Sequence, residues 1–174
     1  ILGDDYTQIA KKSNQQYFDA YLSRLKEKGI GIFTCESQDY PEKLIKVEDA
    51  PYYLFYKGDL SLLSQKAVAM VGTRSPSNYG VIITERFAGE LASAGAVVVS
   101  GLAYGIDSIA HRKALEVNGK TIAVLAGGFD KIYPSEHASL FEEIAQKGLV
   151  LTEHRPDISA LKYHFPQRNR IVAA

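Results

Sequence analysis

The chain has 174 residues, 46% apolar and 23% charged, enough for one well-buried core with a smaller appendage. Its 20 basic and 20 acidic residues cancel to a formal net charge of +0, so any nucleic-acid site has to be a local cluster of cations. No apolar run is long enough to span a bilayer, Ile1-Leu2-Gly3-Asp4-Asp5 does not read as a signal peptide, and the single cysteine, Cys35, excludes an internal disulfide and fits a reducing compartment.

Tyr17, Tyr21 and Leu25 recur at helical spacing, so a helix is predicted from Tyr6 to Gly29. Ile30 to Thr34 is β-rich, and Cys35 reads as a small core hydrophobe at its end. Asp39-Tyr40-Pro41 turns into a short helix at residues 42–46, and Tyr52 to Tyr56 reads as a strand closed by Lys57-Gly58-Asp59. From Lys66 a regular β/α alternation begins. Ala67 to Val71 is a continuous apolar run, as expected for a strand buried on both faces of a parallel sheet. Further strands are predicted at residues 96–99, 121–126 and 149–152, and helices at 81–94, 106–117 and 136–147. The last of these helices is expected to be capped by Ser135 and stopped by Gly148. Helices of this length between strands imply parallel crossovers. The fold class is therefore α/β, a Rossmann-like doubly wound and mainly parallel sheet. Residues 1–38 form an N-terminal helical appendage and linker, and residues 39–174 the core.

Ligands of open α/β sheets bind beyond the carboxyl ends of the strands. The loops there are Gly72-Thr73-Arg74-Ser75, Gly101-Leu102-Ala103-Tyr104-Gly105, Gly127-Gly128-Phe129-Asp130 and the stretch after Thr152. Gly72, Gly101, Gly105, Gly127 and Gly128 suit concave amide surfaces for an anion, to which Arg74 adds a bidentate fork; tight turns alone would also require glycine. No G-x-G-x-x-G opens a helix and no G-x-x-x-x-G-K-[ST] occurs, so no nucleotide cofactor is expected. His111, His137, His154 and His164 show no metal-ligand spacing and nothing matches G-x-S-x-G, so neither a metal nor catalytic residues are assigned. His111 reads as a structural hydrogen bonder, Asp107 as a helix cap and Asp130 as a turn residue. The segment 162–170 interleaves Lys162, Arg168 and Arg170 with the rings of Tyr163, His164 and Phe165. Single-stranded nucleic acid needs both cations and flat rings, but composition alone equally allows a solvated loop with Phe165 in the core.

Val71-Gly72-Thr73-Arg74, Ser100 to Asp107, Ala123 to Gly128 with Asp130 and Tyr133-Pro134, and Phe165-Pro166-Gln167-Arg168-Asn169-Arg170-Ile171 together resemble the DprA/Smf (DNA processing protein A) family in order and spacing. The resemblance runs from about Tyr40 to the end. It implies an extended Rossmann fold in a cytoplasmic, dimeric, non-enzymatic protein that binds single-stranded DNA and loads the recombinase RecA during natural transformation. It also implies that the chain stops short of the family's C-terminal part. Residue by residue, Arg74 matches a phosphate-gripping arginine, and Lys162 and Phe165 match basic and base-stacking positions. Arg168, Asn169 and Arg170 belong to the same segment. Gly72, Thr73, Gly101, Gly127 and Gly128 match the rim backbone. Lys120 matches a frequently basic position, though at the opposite end of its strand. Tyr104 stands where the family usually has Lys or Arg, so a ring there would replace a phosphate contact. The alternative is a lysine-decarboxylase-like phosphoribohydrolase, a nucleotide-processing enzyme on a related scaffold. That class wants P-G-G-x-G-T-x-x-E, and Gly127-Gly128-Phe129-Asp130 lacks this continuation.

Overall fold

The computed structural model describes residues 3–38 and 40–174, with side chains from residue 15 onward; Ile1, Leu2 and Asp39, on which parts of the sequence reading fall, lie outside them. The chain divides into two compact units, one up to Gly31 and one from Ile32 to Ala174. The first is a single helix, α1 (Gly3–Glu27). It ends where the sequence placed the stop. Gly29 takes φ +64°, while its N–H and that of Ile30 return to the carbonyls of Lys26 and Leu25 at 3.0 and 2.8 Å. This pair of bonds is a Schellman turn, which satisfies carbonyls the helix leaves open.

The second unit is built on β1 (Gly31–Thr34), β2 (Tyr53–Gly58), β3 (Ala67–Ala69), β4 (Val97–Ser100), β5 (Thr121–Leu125) and β6 (Leu149–Thr152). They form one sheet in the order β1-β2-β6-β5-β4-β3. Strands β3 to β6 lie parallel and β2 joins β6 antiparallel. The helices are α2 (Glu42–Ile45), α3 (Asn78–Ser93), α4 (Ile106–Glu116), α5 (Ala138–Lys147) and α6 (His164–Ala173). Alternation along the strands sorts the core into two layers. Val97, Ile122, Val124, Leu149 and Leu151 pack with Phe33, Leu44, Leu54, Leu62, Ile171 and Val172 on one face. Val98 packs with Ala88, Ala92, Ala110 and Ala114 of α3 and α4 on the other. Small residues hold these two helices close: Ala88 and Ala92 of α3 cluster with Ala110 and Ala114 of α4, and just past α4 a Cβ on Gly119 would come within 2.5 Å of the Ala92 Cβ.

Three sequence expectations need correction. Ala67 to Val71 is not a doubly buried strand: β3 ends at Ala69, and all its residues are exposed. Among the described strands it pairs with β4 alone, at the sheet edge; an apolar run shows what a strand is made of but not what covers it. Ser135 does not cap α5. It opens a 3-10 turn (Ser135–His137), its hydroxyl donates to Glu136, and His137 stands at the helix N-cap. The segment carrying Phe165 to Arg170, read as a loop, is helix α6.

His111 is wholly buried on α4, with Nδ1 2.6 Å from the Thr121 hydroxyl. That hydroxyl donates to the Val98 carbonyl at 2.7 Å, so His111 is the donor and its Nδ1 carries the proton. Burial, with the Arg168 and His137 charges adding to it, depresses the ring to about 3. The folded state thus keeps His111 neutral while the unfolded chain protonates it below about 6.5, so stability is full above that pH and falls as pH drops toward 3. Unfolding free energy is expected to fall by about 1 kcal/mol from pH 6.5 to 5.5, and by less in His111→Leu. Urea unfolding at the two pH values checks this, and equal pH slopes in both proteins would contradict it.

Candidate nucleic-acid interface

The loops after β3, β4, β5 and β6 meet along one rim of the sheet. The first loop is exposed from Gly72 to Ser75 and leads into α3, where the Ser77 hydroxyl accepts the Gly80 N–H at 3.2 Å. It is tied to the second loop, since the Ile106 N–H donates to the Thr73 carbonyl at 3.1 Å. Gly105 makes the approach possible. It sits at φ +75°, and a Cβ there would overlap the Thr73 carbonyl oxygen.

The glycines of the other loops face the chain's own groups and not an open anion cradle. Asp107 lies in the first turn of α4, not at its cap, and its Oδ2 accepts the N–H groups of Gly101 and Ala103 at 3.1 and 3.4 Å. Gly127 and Gly128 are buried under the backbone of residues 155–160. The Gly128 N–H donates to Ile158 at 2.7 Å, and the Gly127 carbonyl accepts from the Thr152 hydroxyl at 2.8 Å. These bonds make the second and third loops rigid, while Gly72 and Thr73 keep exposed backbone at the rim.

A cation and rings converge at the rim's surface. The Arg74 guanidinium carbon lies 4.9 Å from the centroid of the Phe165 ring, over its face. Phe165 meets Tyr133 edge to face, with centroids 5.7 Å apart and an interplanar angle of 72°. Arg74 and Phe165 are 91 residues apart in sequence. Lys162 is exposed in the turn that leads to Phe165. Tyr104 is 37% exposed and packs edge to face on His137 at 5.2 Å. Its hydroxyl bonds to the Glu136 carboxylate, which raises the phenol from its ordinary value.

The remaining sequence candidates are placed differently. Arg168 is buried, 5% exposed, and its Nη1 donates to the carbonyls of Gly101, at 2.6 Å, and Val124. Its Nε donates to the Asn169 side chain at 3.1 Å. Burial lowers the guanidinium from its usual value, with nearby Asp107 opposing the shift and Arg74 adding to it. Arg170 grips both Glu153 oxygens at 2.7 and 2.9 Å and donates to the Asp49 carbonyl. Both arginines of the R-N-R segment thus bind protein groups, and Asn169 carries the exposed amide between them. The signal was in the spacing: His164, Arg168, Ile171 and Val172 recur at i, i+4, i+7 and i+8, and they are the buried face of α6. Nor does His164 offer a free ring; it stacks on His154 at 4.0 Å, inside the fold. Lys120 Nζ donates to the Lys147 carbonyl at 2.9 Å, at the opposite end of β5 from the rim. Tyr133, quoted only as part of a motif, is the ring that the residue reading left out.

Among the described residues, no group of three or more His, Cys, Asp or Glu side chains is placed to hold a metal ion. No described helix is long and apolar enough to cross a membrane. A cavity of about 580 Å³ lies on the α2 and α6 face, lined by Tyr40, Val124, Leu151 and Ile171, away from Arg74 and Phe165.

A family model described as DNA recombination-mediator protein A matches residues 31–174. The chain is 41% identical, over 178 aligned residues, to the DNA processing protein DprA of Bacillus subtilis, covering 99% of this chain and 60% of that protein. The X-ray structure of DNA processing protein A from Streptococcus pneumoniae superposes with a TM-score of 0.82 at 44% identity, covering 91% of this chain and 56% of that one. A Helicobacter pylori DNA processing protein A, whose structure concerns its single-stranded DNA binding mode, superposes at 0.73 and 39% identity, covering 81% of this chain and 64% of that one. The chain therefore spans about three fifths of the length of these relatives.

Proposed function

The chain belongs to the DprA/Smf family of DNA recombination-mediator proteins, and from that premise we propose that it binds single-stranded DNA along the rim and acts by binding, not by chemistry. The observation that carries this is the placement of the Arg74 guanidinium over the Phe165 ring, 4.9 Å from its centroid. A phosphate needs the fork, an unstacked base needs a flat face, and here one corner of the sheet offers both. Lys162 supplies a second exposed cation, and Gly72, Thr73, Tyr104 and Asn169 line the same rim. Arg168, Arg170, Gly101, Gly127 and Gly128 serve as its support. The relatives' names speak of DNA processing and recombination mediation; beyond those names, we propose that the chain acts in the cytoplasm as a dimer that protects incoming strands and hands them to RecA.

The test is a binding titration with single- and double-stranded oligonucleotides of equal length at several salt concentrations. Single strands are expected to bind at least tenfold more tightly. Log affinity should fall linearly with log salt, because each neutralised phosphate releases counterions. Equal affinity for duplex, or hydrolysis of a nucleoside monophosphate by the pure protein, would overturn the reading in favour of the enzyme.

A further inference from the structure

We propose that Tyr133 is a second base-stacking platform, so that the rim holds two splayed nucleobases of one strand, one at Phe165 and one at Tyr133. This rests on the single-strand reading above and adds a site to it. Phe165 is only partly exposed, and Arg74 already lies over its ring. Tyr133 is 52% exposed, so the larger free aromatic surface at this corner is its own. The two rings are held 5.7 Å apart with planes 72° from parallel. One base cannot lie flat on both. Nor can two neighbouring bases that remain stacked, because stacked bases are parallel and about 3.4 Å apart along a strand. Occupying both rings therefore requires the strand to be unstacked between two nucleotides, which a duplex resists. Two rings set nearly at right angles thus select for single strands by shape, and they do so without sequence preference, since every base has a π-face. Neighbouring groups hold the corner in place. Tyr104, fixed by His137 and Glu136, lies within electrostatic reach of Tyr133, and Phe165 is held by α6 and the Arg74 contact.

The experiment compares a base-bearing oligothymidine with an abasic strand of the same length and charge, using the full chain and four variants: Tyr133→Ala, Tyr133→Leu, Phe165→Ala and the double Tyr133→Ala/Phe165→Ala. Tyr133→Leu keeps an apolar contact for Phe165 but removes the flat face, and it serves if the alanine variant unfolds. Each Tyr133 variant is expected to lose at least about fivefold in affinity for the base-bearing strand and none for the abasic one, as removal of one stacking ring requires. The double variant is expected to bind more weakly than either single variant. If Tyr133→Leu matches the wild type on the base-bearing strand, or the double variant is no weaker than Phe165→Ala, Tyr133 is only packing for Phe165 and the proposal is overturned. The single-strand reading itself fails on a different result, a wild type with no preference for single strands over duplex.

Discussion

Replacing Arg168 by alanine is expected to lower the unfolding free energy by about 3–5 kcal/mol, the cost of breaking a buried charge arrangement from one side. The guanidinium bridges Gly101, just past β4, and Val124, near the end of β5, so it ties together the carboxyl ends of neighbouring strands. Without it two buried carbonyls lose their donor, at about 1–3 kcal/mol each, and the buried Asp107 loses a nearby positive charge. Thermal unfolding should shift down by roughly 10 °C for a body of this size. Arg168→Met would refill the volume but not the hydrogen bonds, so it should recover only part of the loss. Below the lowered transition, residual DNA binding is expected to keep the wild-type salt slope, because Arg168 touches carbonyls and not solvent. A variant that melts like the wild type but has a flatter slope would show instead that Arg168 reaches phosphate.

Arg168 also marks the boundary of what the sequence discloses. The strands β4, β5 and β6 are legible because each is a short apolar run that follows a helix stop, and β4 and β5 run on into glycine loops. Gly95 at φ +82° and Asn118 at φ +59° end α3 and α4 as their residue types suggest. What lies on top of an apolar run is a tertiary matter, so β3 reads as buried although it is an edge strand. The R-N-R segment misleads for a related reason. Charge draws attention to solvent, yet the helical spacing from His164 to Val172 places one of its arginines on the apolar face. The glycine loops are legible as close approaches but not as to what approaches: at Gly128 it is the backbone of Arg155 and Pro156, at Gly101 the Arg168 guanidinium. Nor does any local pattern bring Arg74 to Phe165. Only the combined resemblance linked them before the fold did.

A chain with no net charge can still hold DNA if its exposed cations are gathered while others are tied to protein partners. Arg170 is tied to Glu153, Arg86 to Glu90 and Lys147 to Glu143. Salt-dependent binding would then rest on a small number of free groups, chiefly Arg74 and Lys162. Few phosphate contacts predict a shallow salt dependence for a nucleic-acid binder, and a correspondingly large share of affinity from stacking.

That division makes Arg74→Ala the most informative binding variant. It removes a charge-assisted contact worth about 1.5–3 kcal/mol, together with a cation–π contact of about 0.5–1 kcal/mol that orients Phe165. A loss of about 2 kcal/mol, or roughly thirtyfold, is expected for single strands of any sequence. The slope of log affinity against log salt should become shallower by about 0.7, the value for one phosphate contact on a single strand. Arg74→Lys separates the two contributions. An ammonium keeps the charge, so the slope should stay near the wild-type value. It lacks the planar fork that lies over Phe165, so part of the affinity should still be lost. Because Arg74 is exposed, the stability change should not exceed the about 1 kcal/mol of its contact with Phe165, a shift of at most a few degrees. Oligonucleotide titrations at four or more salt concentrations, paired with melting curves, measure all three quantities. An unchanged slope in Arg74→Ala would mean that the guanidinium meets no phosphate, and the rim could then no longer be read as a place where backbone and base are held side by side.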